Sequence, residues 1–171
     1  APDLTLRYDR PAADTAEGWE REALPVGNGR IGAMVFGQPG REHVQFNDIT
    51  LWTGDANSMG AFQPFGDVFV DLPGHAAATD YSRTLDLARG LHTVTYVHGG
   101  VRYRRETIAS HPADVIVLRS TADRPGAHSG VVRLTDQHGA HINAFGNRIH
   151  ATGSLARFVV PRERGNQGTP A

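Results

Sequence analysis

Residues 26–37 read VGNGRIGAMVFG, and the fold turns on whether this run opens a helix or continues a strand. Gly27, Gly29 and Gly32 spell G-x-G-x-x-G, the pattern of a loop that cradles a pyrophosphate at a helix N-terminus. That chemistry needs a hydrophobic strand before the loop and a helix after it. Upstream stands EREALP, with Pro25 two residues before Gly27, so no hydrophobic strand is expected there. Downstream, Ile31, Ala33 and Val35 alternate with Gly32, Met34 and Phe36, which is the two-residue period of a strand. Asp48 stands about 20 residues on, where a ribose-binding acid would be sought, but QFNDITLW around it is again strand-like. Asn28-Gly29 is a tight-turn signal, because both residues tolerate positive φ. The glycines serve a turn.

The same alternation recurs outward from this run. LTLRY (4–8), HVQFN (43–47), DVFVDL (67–72), LHTVTYV (91–97) and VRYRRETIAS (101–110) all read as strands. So do VIVLRST (115–121), GVVRLTD (130–136), AHINAF (140–145) and RIHATGSL (148–155). Gly, Pro, Asn and Asp punctuate them, which predicts an all-β fold, an antiparallel two-sheet sandwich. In the clearest hairpin, Val94 and Tyr96 alternate with Thr93, Thr95 and Val97 before His98-Gly99-Gly100 turns the chain. On the return, Val101, Tyr103, Thr107 and Ala109 point one way while Arg102, Arg104 and Glu106 point to a solvated face. Gly146-Asn147 marks a second hairpin. Only ATDYSRTLDLARG (78–90) hints at helix, and its alternating Leu85 and Leu87 fit strand equally well. Two stretches are expected to be irregular: TGDANSMGAFQPFG (53–66), a long loop, and PRERGNQGTPA (161–171), which should fray.

A chain of 171 residues suits one domain with a sizeable core. It contains no cysteine, which excludes disulfides and thiolate metal sites. Seventeen basic residues against eighteen acidic ones, scattered along the chain, leave no basic stripe for a phosphate backbone, so no nucleic-acid partner is expected. No apolar run approaches the ~20 residues that span a bilayer, and no signal-peptide pattern opens the chain.

Nine histidines raise the question of a metal. The tightest group is Asp136, His138 and His141, but strand positions three apart face opposite sides unless Gly139 turns the chain. No metal and no cofactor is expected. No G-x-S-x-G elbow presents a nucleophile. Glycoside hydrolysis needs two carboxylates across a sugar, and Asp55, Asp67, Asp71 and Asp80 crowd one region. Asp67 and Asp71 would share a strand face about 13 Å apart, too far for either hydrolytic geometry. Trp52, Phe62 and Phe65 bracket the long loop, where an aromatic face beside polar groups can stack on a sugar ring. The candidate substrate-binding residues are therefore Trp52, Asp55, Asn57, Phe62 and Gln63. The alternative is that the rings plug one end of the sandwich.

Taken in order, LRYDRPAADTAEGWEREALPVGNGRIGAMVFG, VQFNDITLWTGD, FQPFGDVFVDLPGH, TDYSRTLDL and VTYVHGGVRYRRETIASHPADVIVLRSTADRPG resemble the N-terminal domain of glycoside hydrolase family 95, known mainly for α-L-fucosidases. The resemblance spans residues 4 to 155 and implies a large antiparallel β-sandwich. Its landmarks include Asn28, Gly29, Arg30, Asn47, Trp52, Gln63, Asp67, Asp80, Tyr81 and Ser110. It implies a sandwich domain over residues 1–155 and a divergent tail over 156–171. In that family the cleavage machinery resides in an (α/α)6 barrel that follows the sandwich, with a glutamic acid as general acid and an Asn/Asp pair positioning water. None of those positions matches a residue here, so the chain alone is expected to be inactive. The implied partners are the barrel and a fucosylated glycan, and the implied location is secreted or periplasmic. Two alternatives stay open: a free-standing carbohydrate-binding module, and a family member acting on α-galactosides.

Overall fold

The computed structural model describes residues 3–55 and 58–155; the tail expected to fray lies outside them. In chain order the first elements are β1 (Thr5–Tyr8), α1 (Ala16–Arg21), β2 (Leu24–Gly27), β3 (Ile31–Val35) and β4 (Arg41–Asp48). Then come β5 (Trp52–Asp55), β6 (Ser58–Phe62), β7 (Gly66–Asp71), β8 (Thr79–Asp86) and β9 (Leu91–His98). The last are β10 (Val101–Ser110), β11 (Val115–Ala122), β12 (Val131–Thr135), β13 (His141–Phe145) and β14 (Arg148–Thr152). One five-stranded sheet has the order β1-β8-β9-β10-β11, the other β12-β7-β4-β3-β2, and every pairing is antiparallel. Two small hairpins, β5-β6 and β13-β14, stand outside them.

The fold is the expected all-β sandwich, and the opening run lies in it as strand. Gly27 pairs with Gly32 across the turn, and Gly29 takes φ 95°, a conformation that glycine adopts without steric cost. Asn28 Oδ1 accepts from the N–H groups of Arg30 and Ile31, while its Nδ2 donates to Ser110 O at 2.9 Å. Arg30 Nη1 reaches Asp114 Oδ2 at 2.7 Å. The turn thus latches the second sheet to the β10–β11 turn of the first.

Two expectations change and one reading left open between helix and strand is settled. A strand does precede Gly27: β2 accommodates Pro25 because it is the edge strand, where a missing N–H breaks no ladder. The run 78–90 contains strand β8 and no helix. The segment 53–66 is not a bare loop, since β5 and β6 pair within it, Trp52 opposite Phe62. One short helix, α1, was not expected; Thr15 Oγ1 caps it by accepting from Gly18 N–H at 3.0 Å.

The two sheets face each other through Leu24, Val26, Ala33, Val35 and Val44 on one side and Leu85, Ala109, Ile116 and Leu118 on the other. Within this layer lies a buried ion pair, Arg105 Nη2 to Glu42 Oε2 at 2.7 Å. Burial pushes the Glu42 carboxyl up, opposed by Arg105 and by N–H groups of Gly37 and His43. Arg83 is equally buried and donates to the carbonyls of Glu22 and Phe36. The sheets are offset: β2 packs on β9 and β10, and β3 on β11, so β7 and β12 extend past the edge of the first sheet.

Candidate functional site: a groove on the outer face of the second sheet

Strand parity divides β4. Val44 and Phe46 turn toward the core, so His43, Gln45 and Asn47 must point to the opposite face. Register places Met34 and Gly32 of β3 beside Gln45 and Asn47, and Asp67 of β7 on the other flank of Gln45. The segment entering α1, with Asp14, Thr15 and Trp19, walls one side; Phe62, Pro64 and Gln137 wall the other. The result is an open cleft of about 920 Å³.

His43 is its best-defined group. The ring is stacked between Phe36, centroids 4.3 Å apart, and Phe69, 4.5 Å apart. Nδ1 lies 2.7 Å from Asp14 Oδ1 and Nε2 lies 2.7 Å from Asp67 Oδ1. Both ring nitrogens can donate to carboxylates only in the imidazolium form. Burial opposes that charge, yet the hydrogen bonds to Asp67 and Asp14 outweigh it and raise the pKa above the ordinary imidazole value. Arg41 and Arg133 lie against the Phe69 ring at 4.5 and 4.9 Å. The arrangement clips the α1 approach to the sheet. It also commits one oxygen of each of these two acids to the ring. The two carboxylates sit on opposite ring nitrogens, so the three groups do not converge on one ion; among the described residues no cluster has the makings of a metal site.

Of the residues anticipated for sugar contact, the structure brings Trp52 and Phe62 together, edge to face, with centroids 4.7 Å apart. They are 48% and 56% exposed, and Phe62 reaches the groove. Gln63 is buried, and its Nε2 donates to Thr53 Oγ1 and Ala61 O, bracing the β5–β6 hairpin from within. Asn57 and the Asp55 side chain lie outside the described residues. Phe65 leans on Phe46, centroids 5.0 Å apart, at the mouth of the inter-sheet layer, the plugging role weighed for the loop aromatics. Gly139 does turn the chain, but Asp136 Oδ2 accepts the N–H groups of His138 and Ala140, and His138 Nε2 meets Pro64 O at 2.7 Å. That group ties a loop. The groove residues His43, Gln45, Trp19 and Asp14 escaped sequence reasoning; the common parity of His43, Gln45 and Asn47 was the signal available.

Compared with known proteins, the chain matches the family model described as glycosyl hydrolase family 65, N-terminal domain, over residues 6–61 and 55–167. A probable alpha-fucosidase A of Aspergillus oryzae is 28% identical over 152 residues, 63% of this chain and 21% of the relative. Alpha-L-fucosidase 2 of Arabidopsis thaliana is 29% identical over 181 residues, 82% of this chain and 22% of the relative. The chain therefore spans about a fifth of the length of the curated relatives it matches.

Proposed function

The chain belongs to the family of glycosyl hydrolase family 65 N-terminal domains, and on that premise we propose that it is the non-catalytic sandwich of an α-L-fucosidase-like glycoside hydrolase of the family 95 kind. The catalytic (α/α)6 barrel, in this reading, belongs to the remainder of a longer polypeptide, and the groove on the second sheet is the face that meets it. Trp52 and Phe62 shape the mouth of the substrate pocket, with Asp55 and Asn57 as further candidate sugar contacts; Gln63 supports the two rings from inside. The substrate class is α-L-fucosyl glycans, with α-galactosides as the alternative within the same chemistry, and the setting is secreted or periplasmic.

The observation that carries this reading is the match to a glycosidase N-terminal domain by a chain spanning a fifth of relatives named for fucosidase activity. The geometry of the groove agrees with it. Glycoside hydrolysis needs one carboxylate as acid and a second as base or nucleophile, and Asp14 and Asp67 are both engaged by His43. The test is turnover of 4-nitrophenyl α-L-fucoside by the pure, monodisperse chain. No hydrolysis above buffer is expected; turnover abolished by Asp67→Asn would overturn the reading.

Exposure of Trp52 and Phe62 favours a second reading, a carbohydrate-binding module. Their edge-to-face packing leaves one ring, not a coplanar pair, for stacking on a sugar. Calorimetric titration with a fucosylated oligosaccharide separates the readings. Heat at millimolar ligand that Trp52→Ala removes supports the module; none removes it.

A further inference from the structure

The ion pair between Arg105 and Glu42 does not balance the charge around it. Arg83, Arg105 and Glu42 are 1%, 2% and 0% exposed, so two cations and one carboxylate are enclosed between the sheets among the described residues. Arginine keeps its proton in any protein setting. Glu42 supplies at most one negative charge, and burial pushes its carboxyl toward the neutral form, against the pull of Arg105. At least one positive charge is therefore left over in the layer.

The two guanidiniums are drawn to one place. Arg83 Nη1 donates to Phe36 O at 3.2 Å and Arg105 Nη2 to Gln38 O at 2.6 Å, carbonyls two residues apart in the β3–β4 connection. Between them the Gly37 N–H donates to Glu42 Oε1 at 2.6 Å. In the strand register Val94 separates Arg83 from Arg105, and one inward row along, His92 stands opposite Thr107. Arg83 Nε, Arg105 Nε and Nη1, Thr107 Oγ1 and His92 Nε2 are all buried without a hydrogen-bond partner among the described residues. The three arginine nitrogens can only donate, and Thr107 and His92 can donate as well. Burial first, then Arg83 and Arg105, keep His92 neutral, so it adds no charge of its own. Water would satisfy such donors and leave the surplus charge uncompensated. An anion does both. A single surplus charge calls for a monovalent one, and a close-packed layer for a small one.

The geometry points to a binding site for one small monovalent anion of halide size between the sheets, held by Arg83 and Arg105 with Thr107 and His92 beside it. The arginines come from the first sheet and Glu42 from the second, so the ion helps to bolt the two together. The test is thermal melting of the full chain as chloride replaces gluconate at constant ionic strength. The midpoint is expected to rise and level off as a binding isotherm does, by about 5–10 °C at a hundredfold excess over the dissociation constant. Bromide should act as chloride does. Arg83→Met removes the surplus charge and should abolish the response, whereas Arg30→Met, at an exposed arginine, should retain it. Equal midpoints in chloride and gluconate would overturn the inference and make water the occupant. So would an undiminished response in Arg83→Met. Bromide-soaked crystals of the parent chain give a readout that needs no variant. An anomalous peak in contact with both guanidiniums is expected there, and its absence counts against the site.

Discussion

Leu24 and Leu134 stand at opposite ends of the same cross-strand row, yet they meet different surroundings. At Leu24 the sheets are pressed together, and the packing is tight enough to enclose Glu42, Arg83 and Arg105 with almost no exposure. At Leu134 the first sheet has ended, and Leu51, Phe65, His138, Ala140, Ala151 and the last described residues line the pocket beside it. The sequence composition of the two ends is alike. What differs is how many layers lie over them, and that is set by the register of the two sheets. Between the sheets, charge is buried at the closed end, where its partners are fixed on both sheets.

The largest effect is expected from the ion pair at that closed end. Glu42→Ala leaves Arg105 charged and unpaired in a dry layer, a change that costs about 3–5 kcal/mol. Replacing both partners, Glu42→Leu with Arg105→Leu, removes the stranded charge and should recover most of that loss. Denaturant melts of the three proteins check this. If the double variant is as unstable as the single one, the closed end is held by the pair and not by apolar packing.

Next in size is the row itself. Leu24→Ala should cost about 2–5 kcal/mol, the usual range for a buried leucine. Leu134→Ala should cost well under half as much, because Leu134 is half-buried and solvent already touches the side chain. Denaturant melts of the two variants check this, and equal costs would mean that the two ends of the row are packed alike.

How far these surroundings could be read from the sequence follows from the range of each signal. The alternation in LHTVTYVHGGVRYRRETIAS is local and placed β9, β10 and their turn at Gly99-Gly100 correctly. The β5–β6 hairpin was hidden because Gly54 and Gly60 dilute its strand signal and its aromatic rings face solvent. Helix α1 has six residues, too few to show a helical period. Arg105 shares the inward parity of Val101, Tyr103 and Thr107, a placement the sequence reading passed over, and nothing near it in sequence names Glu42 as its partner. The groove depended in the same way on Asp14, His43 and Asp67, brought together from a loop and two strands. The offset of the sheets, which decides which apolar faces are covered, has no local signature.

The smallest effects should distinguish the core from the groove by the sign of their pH dependence. His92 is buried on β9 with Arg83 and Arg105 nearby, and burial first, then those two cations, lower its pKa to about 3. It is neutral in the fold and protonates near 6.5 when unfolded, so its share of stability is whole above pH 6.5 and drains as pH falls, by up to about 1.4 kcal/mol per unit. His43 runs the other way. Its folded pKa is raised, so its contribution is whole below the unfolded value of 6.5 and is lost as pH rises through the folded one. His92→Leu should therefore flatten the fall in stability between pH 6.5 and 5. His43→Gln should be most damaging at pH 5 and approach neutrality at high pH, since the bonds it removes are those of the imidazolium to Asp14 and Asp67. Denaturant melts at pH 5, 6.5 and 8 read both variants together. A His43→Gln penalty that grows with pH would mean the ring is neutral in the fold, and the clip between α1 and the sheet would then rest on one N–H donated to a carboxylate and on the stacking of Phe36 and Phe69.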